Sequence, residues 1–255
     1  MEFIVSATTD IGLTKSTNQD SYCVRCYDTV QGKVVLAVLC DGMGGLSKGE
    51  VASSSLVNAF CKWAEQRLPY LCSSEINDYT IRAEWVDLVT KYNDKIKVYG
   101  QSFGISIGTT ATAMLITSQR YYIINVGDSR AYEICEGVRV LTKDQTLVAR
   151  EIELGNLTPE EAENDPRRSV LLQCVGASEV VYPDMYFGDT RQNAVYMLCS
   201  DGFRHEITEN EIYQYLNPAV MLDPEGMKRN IEALIEINKQ RQERDNISVV
   251  SVRTY

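Results

Sequence analysis

Four aspartates stand at the edges of apolar runs, and they constrain this chain more than any other feature. Their settings read VVLAVLC-DGMGG around Asp41, YYIINV-GDSRAY around Asp128, VYMLC-SDGF around Asp201 and RDN-ISVVSV around Asp245. In three of them a run of β-branched and aromatic residues, the pattern of a buried strand, delivers the chain to an Asp beside a Gly; in the fourth the Asp precedes such a run. Ionised carboxylates held close together repel and are costly to desolvate, so a fold that gathers several of them neutralises them with divalent cations. An Asp-Gly after a strand is ordinarily a turn, because Asp bonds its own backbone and Gly tolerates positive φ. Four such places with matching neighbours are not explained by independent turns.

The ligand type narrows the metal. With a single histidine, His205, a zinc hydrolase built on several imidazoles is excluded, and hard oxygen donors favour Mg2+ or Mn2+. Two such ions sharing a carboxylate are machinery for attack on phosphorus.

Periodicity supplies the scaffold. Strand patterns fall at 33–39, 110–117, 121–126, 130–135, 195–199 and 247–252, and connections as short as those around Ser118 and Gly137 require antiparallel pairing, compatible with two stacked sheets. Ala52, Leu56, Ala59, Phe60 and Trp63 mark one long amphipathic helix, and Ile81, Trp85, Leu88 and Tyr92 mark a second. Thr158-Pro159-Glu160-Glu161 and Thr208-Glu209-Asn210-Glu211 read as capping boxes, and Asp223-Pro224 opens a longer helix carrying Met227, Ile231, Leu234 and Ile235. No repeat, linker or low-complexity stretch interrupts these 255 residues, which read as one domain with enough apolar content, 44%, for a sizeable core. No apolar run nears the ~20 residues needed to span a bilayer, and no signal segment leads the chain, so a cytoplasmic protein is expected. Eight cysteines, among them Cys40, Cys174 and Cys199 in apolar strand-like runs, are expected reduced, and Cys23 with Cys26 lacks the second pair a zinc site needs. The net charge of −10 argues against nucleic-acid binding.

Segments along nearly the whole chain resemble, in order, the metal-dependent protein phosphatases of type 2C in their compact bacterial form. These are TTDIGLTKSTNQDSY, VLCDGMGGLSKGEVAS, GTTATAMLI, NVGDSRAY, LTKDQTLVAREIELGNLTPEEAENDPRRSVLLQCVG, LCSDGF and RDNISVV. The resemblance implies an α+β fold, a four-layer α-β-β-α sandwich with two antiparallel sheets flanked by helices. It also implies hydrolysis of phosphoserine and phosphothreonine by a hydroxide bridging two metal ions. On this resemblance Asp41 bridges two central Mn2+ or Mg2+ ions, with the Gly42 carbonyl on the second ion and Asp201 and Asp245 on the first. Asp128 is a ligand of a third, weaker ion, and Asp20 orients metal-bound water. The segment from about 145 to 166 corresponds to a flap bordering the site. Asp144 is read as a turn residue with no metal role.

Departures from the pattern are specific. Lys15 stands where an Arg pairs with substrate phosphate, so the fork becomes a point charge. Gln19 replaces a Glu beside Asp20, Met43 replaces a His that could act as an acid, and Asp165 replaces a His before Pro166. His205, four after Asp201, is expected at the surface or as a cap; its functional alternative is an imidazole near the third ion. Expected partners are phosphorylated proteins, with a cognate serine/threonine kinase and its substrates; no nucleic acid or membrane is expected, and the chain is expected to be a monomer. The rival reading is a catalytically silent module that keeps the fold to bind a partner, which should have lost metal ligands; this chain keeps them all.

Overall fold

The computed structural model describes residues 1–44, 48–74 and 76–255; Gly45, Leu46 and Ser47 of the glycine-rich segment lie outside the described residues. In chain order the elements are β1 (Phe3–Asp10), β2 (Asp20–Thr29), β3 (Gly32–Gly44), α1 (Gly49–Leu71), α2 (Asp78–Ser102), β4 (Ile107–Thr109), β5 (Ala111–Ile116), β6 (Arg120–Val126), β7 (Arg130–Ile134) and β8 (Val138–Val140). They continue with α3 (Leu147–Glu153), α4 (Pro159–Glu163), β9 (Asp184–Asp189), β10 (Val195–Cys199), α5 (Asp201–Arg204), α6 (Glu209–Leu216), α7 (Pro224–Gln240) and β11 (Ile247–Thr254).

The strands form two antiparallel sheets, one ordered β1-β11-β10-β7-β8 and the other β2-β3-β5-β6-β9, with β4 pairing with the end of β3. Strand side chains alternate between faces, and this alternation builds three separate cores. Along β3, Val34, Leu36, Val38 and Cys40 pack against α1 and α2, whereas Val35, Ala37 and Leu39 face the other sheet. Along β10, Val195, Met197 and Cys199 join the core with α5, α6 and α7, and Tyr196 and Leu198 face inward between the sheets. The result is the expected four-layer α-β-β-α sandwich of the α+β class.

Helix ends follow their sequence signals. Thr158 and Thr208 each accept from the third helical N–H while Glu161 and Glu211 reach back to the cap, satisfying donors that would otherwise be orphaned. Asp223 caps α7 through the Gly226 N–H, with Pro224 in the first turn. On the opposite face Trp85 is fully buried, with its ring edge-on to Phe60 and Trp63 at centroid distances of 5.5 and 5.4 Å. Glu84 clamps the two long helices, accepting from Trp63 Nε1 at 2.7 Å and from Arg67 in a fork.

Two expectations need correction. The strand expected over 33–39 is longer: β3 continues through Asp41 and Gly42 to Gly44, held by β2 on one side and β4 on the other. Cys174 is buried but lies outside any strand. All eight cysteines are free, Cys26 is exposed, and no described helix is long and apolar enough to cross a membrane.

Candidate metal centre

The five singled-out aspartates come from five places in the chain and arrive at one end of the sandwich. Asp41 on β3 lies directly across from Asp20, the first residue of β2. Its backbone is pinned on three sides: its N–H donates to Thr110 Oγ1 at 2.8 Å, and its carbonyl accepts from Thr110 N at 2.8 Å and Thr109 Oγ1 at 2.9 Å. The Thr110 hydroxyl also meets Ser129 Oγ at 2.9 Å, which ties Asp41 to the turn between β6 and β7 that carries Asp128. Gly127 takes φ +101° in that turn, and a Cβ there would press on the Thr110 side chain. Gln145, at the start of the expected flap, holds the same turn, accepting from Gly127 N at 2.8 Å and donating its own N–H to Gly127 O at 3.0 Å.

Gly42 must be a glycine for a different reason. A Cβ at this position would collide with the Gly49 carbonyl and the Gln19 carbonyl, so only a bare backbone fits between α1 and the loop before β2. With its amide turned so that nitrogen faces Gly42, Gln19 donates to the Gly42 carbonyl at 3.2 Å and accepts from Gly49 N at 3.3 Å. A glutamate at 19 could not make the first of these bonds when ionised.

Asp201 opens α5 directly after β10, and Asp245 lies in the loop entering β11. Asp245 Oδ1 accepts from Lys15 Nζ at 2.7 Å and from Asn246 N at 2.8 Å, while Glu243 Oε1 accepts from Asp245 N at 2.8 Å. Asn246 fastens the Lys15 loop to this corner. Its Nδ2 donates to Ile11 O at 2.9 Å, and its Oδ1 accepts from Gln19 N at 2.9 Å. Sequence reasoning passed over Asn246 although it read the Arg-Asp-Asn triplet; an Asn between a loop acid and a buried strand was the available signal.

Electrostatics place these groups in one field. Burial, and then the charges of Asp20, Asp201, Asp128 and Asp245 in that order, raise the Asp41 carboxyl well above the usual range. Burial also lifts Asp20 to about 7, opposed by the nearby Ser248 and Ser200 hydroxyls and reinforced by Asp201 and Asp245. Asp128 rises to about 7 through burial and the Asp201 charge, with Arg204 pulling it down. Lys15 is held above its usual range: burial opposes its charge, but contact with Asp245 and the fields of Asp41 and Asp201 prevail. Neither Asp20 oxygen nor Asp201 Oδ1 has a hydrogen-bond partner among the described residues. No three described His, Cys, Asp or Glu side chains, however, are gathered closely enough to cage an ion by themselves. The donor set still fits a hard cation, being all oxygen, mutually repelling, buried at Asp20, Asp128 and Asp201, and short of partners at Asp20 and Asp201. Lys15 Nζ already rests on Asp245 as a cation would.

His205 corrects an expectation. It is neither a surface residue nor merely a cap, since its side chain is 13% exposed, with Nδ1 at 3.2 Å from Glu243 Oε2 and Nε2 at 3.6 Å from Asp201 Oδ2. Burial works against its charge, but the Glu243 hydrogen bond and the Asp201 charge raise its pKa above the usual value. Asp144 is gripped by the Arg130 fork at 2.8 Å on both oxygens. Asp165 pairs with Arg167 at 2.7 Å at the end of the flap.

A protonation consequence follows for the metal-free chain. Raised carboxyls at Asp20 and Asp128 mean that the folded state binds protons more tightly than the unfolded one. Their contribution to stability is therefore complete below the ordinary carboxylate range and is lost as the pH climbs through about 7. The Tm of chelator-treated protein should fall over that window, and added Mn2+ should flatten the fall; a Tm that rises across it would contradict the repulsion described here.

Comparison with known proteins identifies the family and the fold. The family model described as protein phosphatase 2C matches residues 14–236. A putative protein phosphatase 2C-type from Streptococcus pyogenes is 30% identical over 251 residues, covering 97% of this chain and 96% of that protein. The serine/threonine phosphatase Stp1 from Staphylococcus aureus superposes with a TM-score of 0.84 at 26% identity, covering 100% of this chain and 96% of that one. The catalytic domain of PstP in complex with two manganese ions superposes with a TM-score of 0.78 at 26% identity, covering 99% of each chain. The chain belongs to the protein phosphatase 2C family. Membership makes it an enzyme, a protein phosphatase.

Proposed function

We propose that the chain hydrolyses phosphoserine and phosphothreonine on proteins, with water attacking phosphorus directly and no phosphorylated enzyme in between. The observation that carries this reading is the convergence of Asp20, Asp41, Asp128, Asp201 and Asp245 in one field, a set of oxygen donors that calls for divalent cations. Cys40, next to Asp41, turns into the core under α1, where burial pushes its thiol far up. His205 is engaged by two carboxylates.

On this reading Asp41, the Gly42 carbonyl, Asp201 and Asp245 hold two Mn2+ or Mg2+ ions. Such ions, when bound, ease deprotonation of water near neutral pH and offset charge on phosphoryl oxygens. Asp20, buried behind Asp41, holds the attacking water by a carboxylate oxygen and fixes its direction. Lys15 presents a point charge to the phosphate. Met43 cannot donate a proton, so water at the site or another group must protonate the leaving alkoxide. The chain acts as a single domain over 1–255. The 145–166 flap adjoins the site through Gln145, which holds the Gly127 turn. Its substrates on this reading are phosphoproteins and its functional counterpart is the kinase that modifies them.

The test is a phosphothreonine-peptide assay in chelator, then in Mn2+. Activity should fall to background in the first and return in the second; full activity in protein shown by elemental analysis to hold no metal would refute the reading.

Lys15 is testable in the same assay. Lys15→Ala should raise KM, with kcat falling to the extent that the contact strengthens in the transition state. Lys15→Arg, which adds a planar fork, should lower KM by a few-fold, about 1 kcal/mol. If KM and kcat are both unchanged in Lys15→Ala, Lys15 does not touch substrate.

A further inference from the structure

A second cation, largely covered, faces the carboxylate cluster at its Asp128 end. Arg204 ends α5, three residues after Asp201, and its side chain is only 14% exposed. Its Nη2 donates to the Asp128 carbonyl at 3.1 Å and stands 3.4 Å from Asp128 Oδ2 and 3.2 Å from Asp144 Oδ2. Asp144 is fixed in turn by the fork from Arg130, two residues beyond Asp128. Two guanidinium groups and two carboxylates thus alternate across the turn between β6 and β7, and their charges cancel. A guanidinium cannot shed its charge by losing a proton, so once buried it requires carboxylates around it. Both charge and position commit Asp128 to Arg204.

We propose that Arg204 is the built-in counter-cation of the Asp128 end of the cluster, so that Asp128 ligates no metal and the chain carries its ions on Asp41, Asp201 and Asp245 alone. This rests on the reading of those three residues as metal ligands. An ion bound by Asp128 would stand beside the guanidinium, where like charges in a poorly solvated site repel. The sequence-based expectation of a third ion on Asp128 is replaced by a side chain of the protein itself. Arg204 is then a positioning residue: it sets the Asp128 turn and limits how many ions enter.

Metal stoichiometry tests this without relying on turnover. After equilibrium dialysis against Mn2+, elemental analysis of the wild-type chain should find two ions, and Asp128→Asn should also hold two with unchanged affinity. Arg204→Gln, which removes the charge, should take up one additional ion, whereas Arg204→Lys, which keeps it, should not. A third ion in the wild type that disappears in Asp128→Asn would overturn the proposal, as would Arg204→Gln that stays at two. Should Arg204→Gln fail to fold, the Asp128→Asn comparison decides by itself. A wild-type chain that binds no ion at all would instead bring down the underlying assignment of Asp41, Asp201 and Asp245, an outcome distinct from the others.

Discussion

Asp41→Ala should abolish turnover while leaving the fold in place. Asp41 is the residue through which the other carboxylates interact, since its proton affinity is raised by four of them at once. Its backbone is held by Thr109 and Thr110, bonds that an alanine retains. On the proposed reading the loss should exceed the roughly 100-fold that removing a residue behind a metal ligand costs, because Asp41 would serve both ions. Removing one of several repelling buried charges should not destabilise the metal-free protein. The expected result is therefore kcat at background, lost Mn2+ binding and an unchanged or higher Tm in chelator. Retained Mn2+ binding with near-normal kcat would show that the ions lie elsewhere.

The largest effect on stability is expected far from the chemistry, at Trp85. Its ring is fully buried beneath Phe60 and Trp63 on the helix side of β3. Truncation to Ala removes one of the largest side chains in the core and leaves a cavity between α1 and α2, a change that costs about 3–5 kcal/mol. Against a total stability of about 5–15 kcal/mol, this should lower the urea midpoint sharply. Trp85 Nε1 is buried without a hydrogen-bond partner among the described residues, so Trp85→Phe should cost much less than Trp85→Ala. Equal losses for the two variants would mean that packing volume is not what the indole supplies.

What the sequence revealed of the sheets has a physical pattern. The six expected strands correspond to β3, β5, β6, β7, β10 and β11, which are the inner strands of both sheets. An inner strand here is covered on both faces, so it reads as a continuous apolar run, as in the fully buried β5 and β11. The strands not anticipated include all four edges, β1, β2, β8 and β9. Edge strands carry polar and charged residues, such as Arg25 in β2, and their partly exposed pattern does not separate them from loops. The three-residue β4 was too short to leave any period.

The centre shows a similar division. Apolar runs and their neighbours singled out Asp41, Asp128, Asp201 and Asp245, each in or next to an inner strand, whereas Asp20 opens the edge strand β2 and was reached through the resemblance alone. Arg204, Asn246 and Thr110 were not anticipated, since their roles depend on contacts between segments far apart in the chain. Gly42 was expected for its carbonyl, but only the packing explains why no other residue fits there.

The insertion of β11 between β1 and β10 bears on the order in which this protein can acquire its shape. Thr9 and Ser248, hydrogen-bonded to each other, lie 239 positions apart, and the two strands pair along their full length. Contacts of such separation carry a large loop-closure cost and slow folding. Residues 11–20, which bring Lys15 and Asp20, are fastened to the chain by Asn246, so they gain their final positions only when β11 docks. During synthesis the helix-covered sheet of β2, β3, β5, β6 and β9 can assemble early. Catalytic competence should come last and cooperatively, on the arrival of a strand near the C-terminal end.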